Sequence, residues 1–251
     1  MQLIDGNTER GQDTVGRALV VLCTYNEMAN LPRAVETLRR VAPACDILVV
    51  DDNSPDGTGK WAQVESQKPS QAGRLHLLAR AKKLGLGSAL RDAIRWCLER
   101  DYEYFVNLDA DLSHDPTNVP EFLALARAEN IDVVVGSRYI AGGNSEGLSF
   151  IRKLLSRGLN RYAARVLTLP IRDCSGSYRC YRVSKLRELQ IDQLTCNGYG
   201  FLEEILVTLY RNGATLREFP ITYHDRHSGQ SKLSWADAAG AISVIHKLRR
   251  R

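Results

Sequence analysis

Short apolar runs of strand length alternate with stretches of helical periodicity from Arg17 to Arg138, and this alternation limits the folds open to the chain. Ala18–Thr24 is an unbroken apolar run, and residues 27–41 set Leu31, Val35 and Leu38 on one helical face. Residues 46–52 read as a second strand. The Asn53-Ser-Pro-Asp-Gly57 turn after them supplies turn formers and a helix cap. Leu75–Ala79 is a third strand, and residues 85–100 form an amphipathic helix with Leu86, Leu90, Ile94 and Trp96 inward. The Tyr104–Asp109 strand, a helix over 121–129 and a strand over 131–136 follow. Strands spaced by helices of this length make a mostly parallel sheet with right-handed crossovers. Such sheets bind ligands at the carboxyl ends of their strands. Those ends carry Tyr25, Glu27, Asp51, Asp52, Asp109, Asp111 and Arg138.

Two of these carboxylates, Asp109 and Asp111, close one strand together. Residues i and i+2 share a strand face, so at the strand end both can reach one hard cation. Mg²⁺ or Mn²⁺ held by one or two carboxylates, with positions left for phosphate oxygens, is the usual way to hold a nucleoside diphosphate. An Asp-x-Asp pattern arises about once by chance in a chain of this size, so its weight depends on its company. No Gly-x-Gly-x-x-Gly follows the first strand; Thr24-Tyr-Asn-Glu27 stands there, which argues against a dinucleotide site. Lys82-Lys-Leu-Gly-Leu-Gly87 lacks the spacing of a P-loop.

The texture changes after Arg138. Residues 141–147 read as a flexible, mobile loop, and residues 150–167 as a helix with Ile151, Leu154, Leu155, Leu159, Tyr162 and Val166 on one side and Arg or Lys on the other. An extended segment over 175–183, a helix over 198–211, a strand over 215–223 and a polar loop over 224–233 complete the reading, with an amphipathic, basic tail at the end. The net charge of +5 is unevenly placed: residues 152–187 hold ten Arg and Lys against Asp173 alone. This bias points to phosphate groups, an acidic membrane surface or nucleic acid, or else to a solvated basic face. Without aromatic interleaving or a known motif, nucleic acid is the weakest of these. The 150–167 profile suits a helix lying on an anionic bilayer, and an ordinary surface helix as well. With 251 residues, 44% of them hydrophobic, the chain can build one large domain. Its six cysteines form no metal or disulfide spacing and fit a reducing compartment. No apolar stretch approaches the ~20 residues that span a bilayer, and residues 1–16 read as a mobile leader without a signal-peptide core.

Taken together, Cys23-Thr-Tyr-Asn-Glu27, Val49-Val-Asp-Asp-Asn-Ser-Pro-Asp-Gly-Thr58, Lys83-Leu-Gly-Leu-Gly87, Asp109-Ala-Asp-Leu-Ser-His114, Gly136-Ser-Arg-Tyr139 and Ser231-Lys-Leu233 resemble, in order, the motifs of dolichol-phosphate mannose synthases. These are inverting family-two glycosyltransferases that act on polyprenyl phosphates. The resemblance implies a GT-A (Rossmann-like) α/β domain over 17–233, with an acceptor loop and basic helix at about 139–170 and a basic tail over 234–251. It implies transfer of mannose from GDP-mannose to a dolichyl-type phosphate. The alternatives are a UDP-glucose:undecaprenyl-phosphate transferase and a non-catalytic nucleotide-sugar-binding subunit. Residue by residue, Cys23, Tyr25 and Glu27 match the base pocket, and Val50 and Asp52 match positions that hold the base. Asp109, Ala110 and Asp111 match the ribose and diphosphate motif, with Asp111 as metal ligand and Ser113 as its helper. Arg138, Arg226 and Lys232 match residues that grip the donor diphosphate and the acceptor phosphate. Glu204 matches an acidic residue in the helix after the acceptor loop. The family usually has Pro where Cys23 stands, and some relatives have Gln at the Ser113 position. Peripheral attachment to the cytoplasmic face of a membrane, or a membrane-anchoring partner, completes the implied picture: the plasma membrane in a bacterium, the endoplasmic reticulum in a eukaryote. A phosphate monoester is mostly a dianion at neutral pH, so such an acceptor needs no strong general base.

Overall fold

The computed structural model describes residues 17–71, 73–196, 198, 200–225 and 235–250. Strands β1 (Ala18–Thr24), β2 (Asp46–Asp51), β3 (Leu75–Ala79), β4 (Tyr104–Asp109) and β5 (Val133–Ser137) alternate with helices α1 (Leu31–Val41), α2 (Thr58–Ser66), α3 (Leu86–Leu98) and α4 (Val119–Ala128). Then come β6 (Asn144–Glu146), α5 (Phe150–Val166), β7 (Arg179–Arg182), α6 (Val183–Arg187), α7 (Gly200–Arg211), β8 (Leu216–Pro220), β9 (Thr222–His224) and α8 (Trp235–Arg249).

Seven strands form one sheet in the order β3-β2-β1-β4-β7-β5-β8, parallel except for β7. Its two faces bury different sides of the same strands. Leu19, Val21, Leu48, Val50, Phe105 and Val135 pack under α3, α5, α6, α7 and α8. Val20, Leu22, Ile47, Val49, Val106 and Val134 pack under α1 and α4. Every residue of β2 is buried, which explains its unbroken apolar run: a parallel strand covered on both faces has no polar side to show. Helix α1 begins only at Leu31, with Pro32 in its first turn; residues 27–30 form the turn leading in. After β1 the chain builds outward through β2 and β3, then returns to place β4 on the other side of β1. The order therefore reverses between β1 and β4, and ligands of such sheets bind at that reversal.

Three expectations change. The mobile loop expected at 141–147 contains β6, which pairs in parallel with β9 to form a second, small sheet. The single strand expected at 215–223 is two: β8 joins the main sheet, the chain turns at Ile221, and β9 joins the small one. The extended segment at 175–183 inserts antiparallel between β4 and β5 as β7. The leader expected over 1–16, and with it Arg226 and Lys232, lies outside the described residues.

Candidate active site at the strand ends

Parallel register sets Cys23 beside Val50 on one neighbour and Asp109 on the other. The first two strand ends are stitched by polar side chains. Thr24 donates to Asp51 Oδ1 (2.9 Å), and Ser54 donates to the same carboxylate from its hydroxyl (2.6 Å) and its amide (3.0 Å). Asp56 accepts from the Met28 and Thr58 amides (3.0 Å each), and Thr58 Oγ1 in turn accepts from the Glu27 amide (3.0 Å). Burial alone would raise the Asp56 carboxyl, but these hydrogen bonds hold it below the ordinary range. Glu27 caps the approach to α1: its backbone oxygen accepts from Asn30 and Leu31, and its side chain accepts from Asn30 Nδ2 (2.9 Å).

Tyr25 is exposed, and the Lys83 ammonium sits 3.7 Å from its ring centroid. Val50 is wholly buried in the core beneath α3. Asp52 turns sideways instead of out. Its carboxylate accepts from the Leu84 and Gly85 amides (3.1 and 2.8 Å) and pairs with Arg80, whose buried guanidinium also bonds Ser88 and Asp92. Asp52 thus fixes the basic 81–85 turn at the rim. Cys23 is no reactive thiol: burial, with Asp109 and Asp52 adding, pushes it well above its ordinary range.

Past β4 the chain turns through Ala110, which is buried, and Leu112, whose φ of 62° is a strained conformation for a branched side chain. That turn folds the Ser113 amide back onto Asp111 Oδ1 (3.0 Å). The Ser113 hydroxyl is buried two residues from Asp111 and has no hydrogen-bond partner among the described residues. Asp109 accepts from Ser177 Oγ at 2.7 Å. His114 is buried and held neutral by that burial; its Nδ1 accepts from the Asp109 amide (3.3 Å), which leaves the proton on Nε2. Its 3.6 Å approach to Asp109 Oδ2 is therefore not an ion pair.

Arg138, just past β5, is clamped to Asp173. Nε and Nη2 meet the two carboxylate oxygens at 2.7 and 2.8 Å, the Arg138 amide adds a bond at 3.1 Å, and Nη2 reaches Ser175 Oγ at 3.1 Å. The Asp173 side chain is fully buried. Burial alone would raise it, yet the Arg138 guanidinium holds it below the ordinary carboxylate range. The chain folds back over Arg138 at Gly143, where a Cβ would come within 2.5 Å of the Ser137 oxygen. Glu204 lies away from this group. It is buried and accepts from the Thr195 and Cys196 amides (3.1 and 2.8 Å), bracing the loop ahead of α7.

The fold thus gathers Cys23, Tyr25, Glu27, Asp52, Asp109, Ala110, Asp111, Ser113 and Arg138 along one edge of the sheet. The sequence reading missed Asp173, Ser175 and Ser177. They follow no periodicity, since they lie in an irregular strap whose value comes only from what it touches. Ser113 Oγ, an unsatisfied hydroxyl beside a carboxylate, is the donor type that suits a hard divalent cation. No cluster of three or more His, Cys, Asp or Glu side chains able to hold a metal occurs among the described residues.

Residues 19–190 match the model of the family described as Glycosyl transferase family 2. The chain belongs to that family. This glycosyltransferase is 40% identical over 227 residues to the undecaprenyl-phosphate mannosyltransferase of Micrococcus luteus, across 90% of this chain and 91% of that one. It is 36% identical over 229 residues to the polyprenol monophosphomannose synthase of Mycolicibacterium smegmatis, across 91% of this chain and 85% of the other. Its fold is similar to glucosyl-3-phosphoglycerate synthase from Mycobacterium tuberculosis, solved with Mn²⁺, uridine diphosphate and glucosyl-3-phosphoglycerate. The TM-score is 0.69, covering 94% of this chain and 80% of that one, at 16% identity. The same enzyme with Mn²⁺ and UDP-glucose gives 0.68 at 18% identity. The mostly parallel GT-A-type fold expected from the motifs is borne out.

Proposed function

We propose that this glycosyltransferase moves mannose from GDP-mannose to a polyprenyl phosphate, inverting the anomeric centre. The observation that carries the reading is the placement of Asp109 and Asp111 at the β1/β4 reversal with Arg138 clamped nearby, in a chain similar along nine-tenths of its length to an undecaprenyl-phosphate mannosyltransferase and a polyprenol monophosphomannose synthase. Asp109 faces the ribose side. Asp111 and Ser113 would hold Mg²⁺ or Mn²⁺, which when bound offsets charge on the departing diphosphate as a Lewis acid. The Tyr25 ring, with Lys83 over it, lines the base side. Arg138 keeps its positive charge, reinforced by Asp173, and with Arg226 and Lys232 it grips phosphate groups. His114 is buried and neutral with Nδ1 engaged, so it serves the Asp109 turn and not proton transfer. The acceptor dianion needs no base, so these residues contribute orientation and charge stabilisation.

The lipid side is α5. No helix among the described residues is long and apolar enough to cross a membrane. Phe150, Ile151 and Leu154 are nonetheless 79%, 69% and 62% exposed, beside the exposed Arg157, Arg161 and Arg165. The helix lies peripherally on an anionic bilayer, each basic residue adding about 1 kcal/mol. The decisive test offers GDP-mannose and UDP-glucose separately, with Mg²⁺ or Mn²⁺ and a short polyprenyl phosphate, and reads the configuration of the product. Mannosyl transfer with inversion is expected; transfer from UDP-glucose alone would overturn the donor assignment.

A further inference from the structure

The exposed face of α5 has a counterpart on its buried side. Asn160 is 3% exposed in the middle of that helix, and its amide makes four hydrogen bonds. Oδ1 accepts from the Cys174 and Ser175 amides (2.8 and 3.1 Å), while Nδ2 donates to the Ser156 oxygen (2.9 Å) and to Ser175 Oγ (3.1 Å). Ser175 Oγ is also the oxygen that accepts from Arg138 Nη2. The strap at 173–177 touches the candidate site at both ends: Asp173 clamps Arg138, and Ser177 donates to Asp109. A second tie runs from α5 through Ser156 Oγ to the Tyr139 hydroxyl at 2.6 Å, next to Arg138.

We propose that Asn160 is a positioning residue: through Ser175 and the strap it sets the Arg138 guanidinium from α5, so that where this helix lies determines how well the phosphate-gripping site is aligned. An apolar inner face would pack α5 against the core without tying it to the strap. Its neighbours on that face, Ala163 and Ala164, do pack that way. A side-chain amide with all four of its bonds spent on the helix and the strap fixes the strap's height and register instead. This rests on the reading of α5 as the lipid-facing helix, and it gives that reading a consequence inside the protein: seating the helix on a bilayer firms the strap.

The test uses the full chain and three variants, Asn160→Ala, Ser175→Ala and, as a control, Val64→Ala, an exposed position on α2 away from the site. Ser175→Ala removes the bridge to Arg138 while leaving the Asn160 bonds to both backbone amides, so it folds even if Asn160→Ala does not. Hydrogen exchange over 173–178 is measured with and without vesicles containing anionic lipid, and turnover is measured with a polyprenyl phosphate in detergent and in those vesicles. Wild type is expected to slow its exchange in this segment on vesicles. Asn160→Ala and Ser175→Ala are expected to lose that slowing and to lower kcat by about ten- to a hundredfold, with the KM for the nucleotide sugar little changed. Val64→Ala is expected to keep kcat in detergent and in vesicles. A kcat for Ser175→Ala equal to wild type in detergent and vesicles alike overturns the proposal. So does a loss confined to KM. If wild type does not co-sediment with the vesicles, the lipid-facing assignment of α5 fails, and kcat in detergent still decides the positioning role. If wild type transfers no mannose, the proposed function fails, and the exchange of 173–178 in Ser175→Ala against wild type decides the matter: unchanged exchange overturns it.

Discussion

The two halves of the candidate site are built on different terms. In the proposed reading the donor half, at the ends of β1, β2 and β4, is parallel and in register, and its carboxylates are held by hydrogen bonds from adjoining strand-end loops. The acceptor half is assembled from distant pieces. Its strand is antiparallel, its strap is irregular, and its helix turns apolar side chains outward. On that reading a nucleotide diphosphate meets paired parallel strand ends, whereas a lipid phosphate meets parts aligned through an irregular strap and a helix.

The largest test of that contrast is chemical. Asp111→Asn is expected to lower sugar transfer by about a thousandfold or more while the melting curve stays close to wild type, because the change keeps the volume and the oxygen that accepts from the Ser113 amide. Undiminished transfer would remove Asp111 from the metal site. The clamp comes next. Arg138→Ala leaves the fully buried Asp173 carboxylate unmatched, a loss of about 3–5 kcal/mol, which thermal melting reports as a fall of roughly 6–15 °C. A smaller fall would mean that the acceptor half is as self-supporting as the donor half.

Glu203 gives the pH test. Burial, only partly offset by Arg179, pushes its carboxyl up to about 7. Between the ordinary carboxylate range and that value the folded chain holds a proton that the unfolded chain has released. Stability therefore falls as pH rises across that window and levels off above it. The total is at most about 3 kcal/mol. Glu203→Gln removes the slope, so its melting temperature should exceed that of wild type by a margin that grows from pH 5 to pH 8; parallel curves would contradict the buried-acid assignment. The smallest effect on the fold is expected on the face of α5. Ile151→Glu with Leu154→Glu should change stability by only about 0.5 kcal/mol, since both side chains are exposed. Co-sedimentation with anionic vesicles should nonetheless drop by tenfold or more, because apolar burial and charge both turn unfavourable. Unaltered vesicle binding would move the lipid contact elsewhere.

The donor half could be read from the sequence because its signals are local. Val49-Val-Asp-Asp is a buried strand followed by a turn, and the acids stand where the apolar run stops. Even so, the role of Asp52 as partner to Arg80 was invisible, since Arg80 lies 28 residues away with no motif around it. The acceptor half was legible only in outline. The helix at 150–166 showed its periodicity, but not that its buried face would be Ser156, Asn160, Ala163 and Ala164 with the large apolar residues outside. Nor does a four-residue strand such as β7 announce its direction; its antiparallel insertion is decided by the space left between β4 and β5.

That insertion bears on how the molecule is made. β4 and β5 leave the ribosome before β7, and β7 hydrogen-bonds to both of them. Until residue 182 has emerged, β4 has no neighbour on its far side and β5 has no route into the sheet. The nascent chain therefore carries a finished nucleotide floor with one open, apolar edge, exposed to pairing with other chains until the later strand fills it. A single four-residue strand closes that edge and, through the strap preceding it, also brings Asp173 to Arg138 and Ser177 to Asp109. Insertion of β7 and the placing of Asp173 and Ser177 therefore go together, and β8 then adds the last strand of the sheet beside β5.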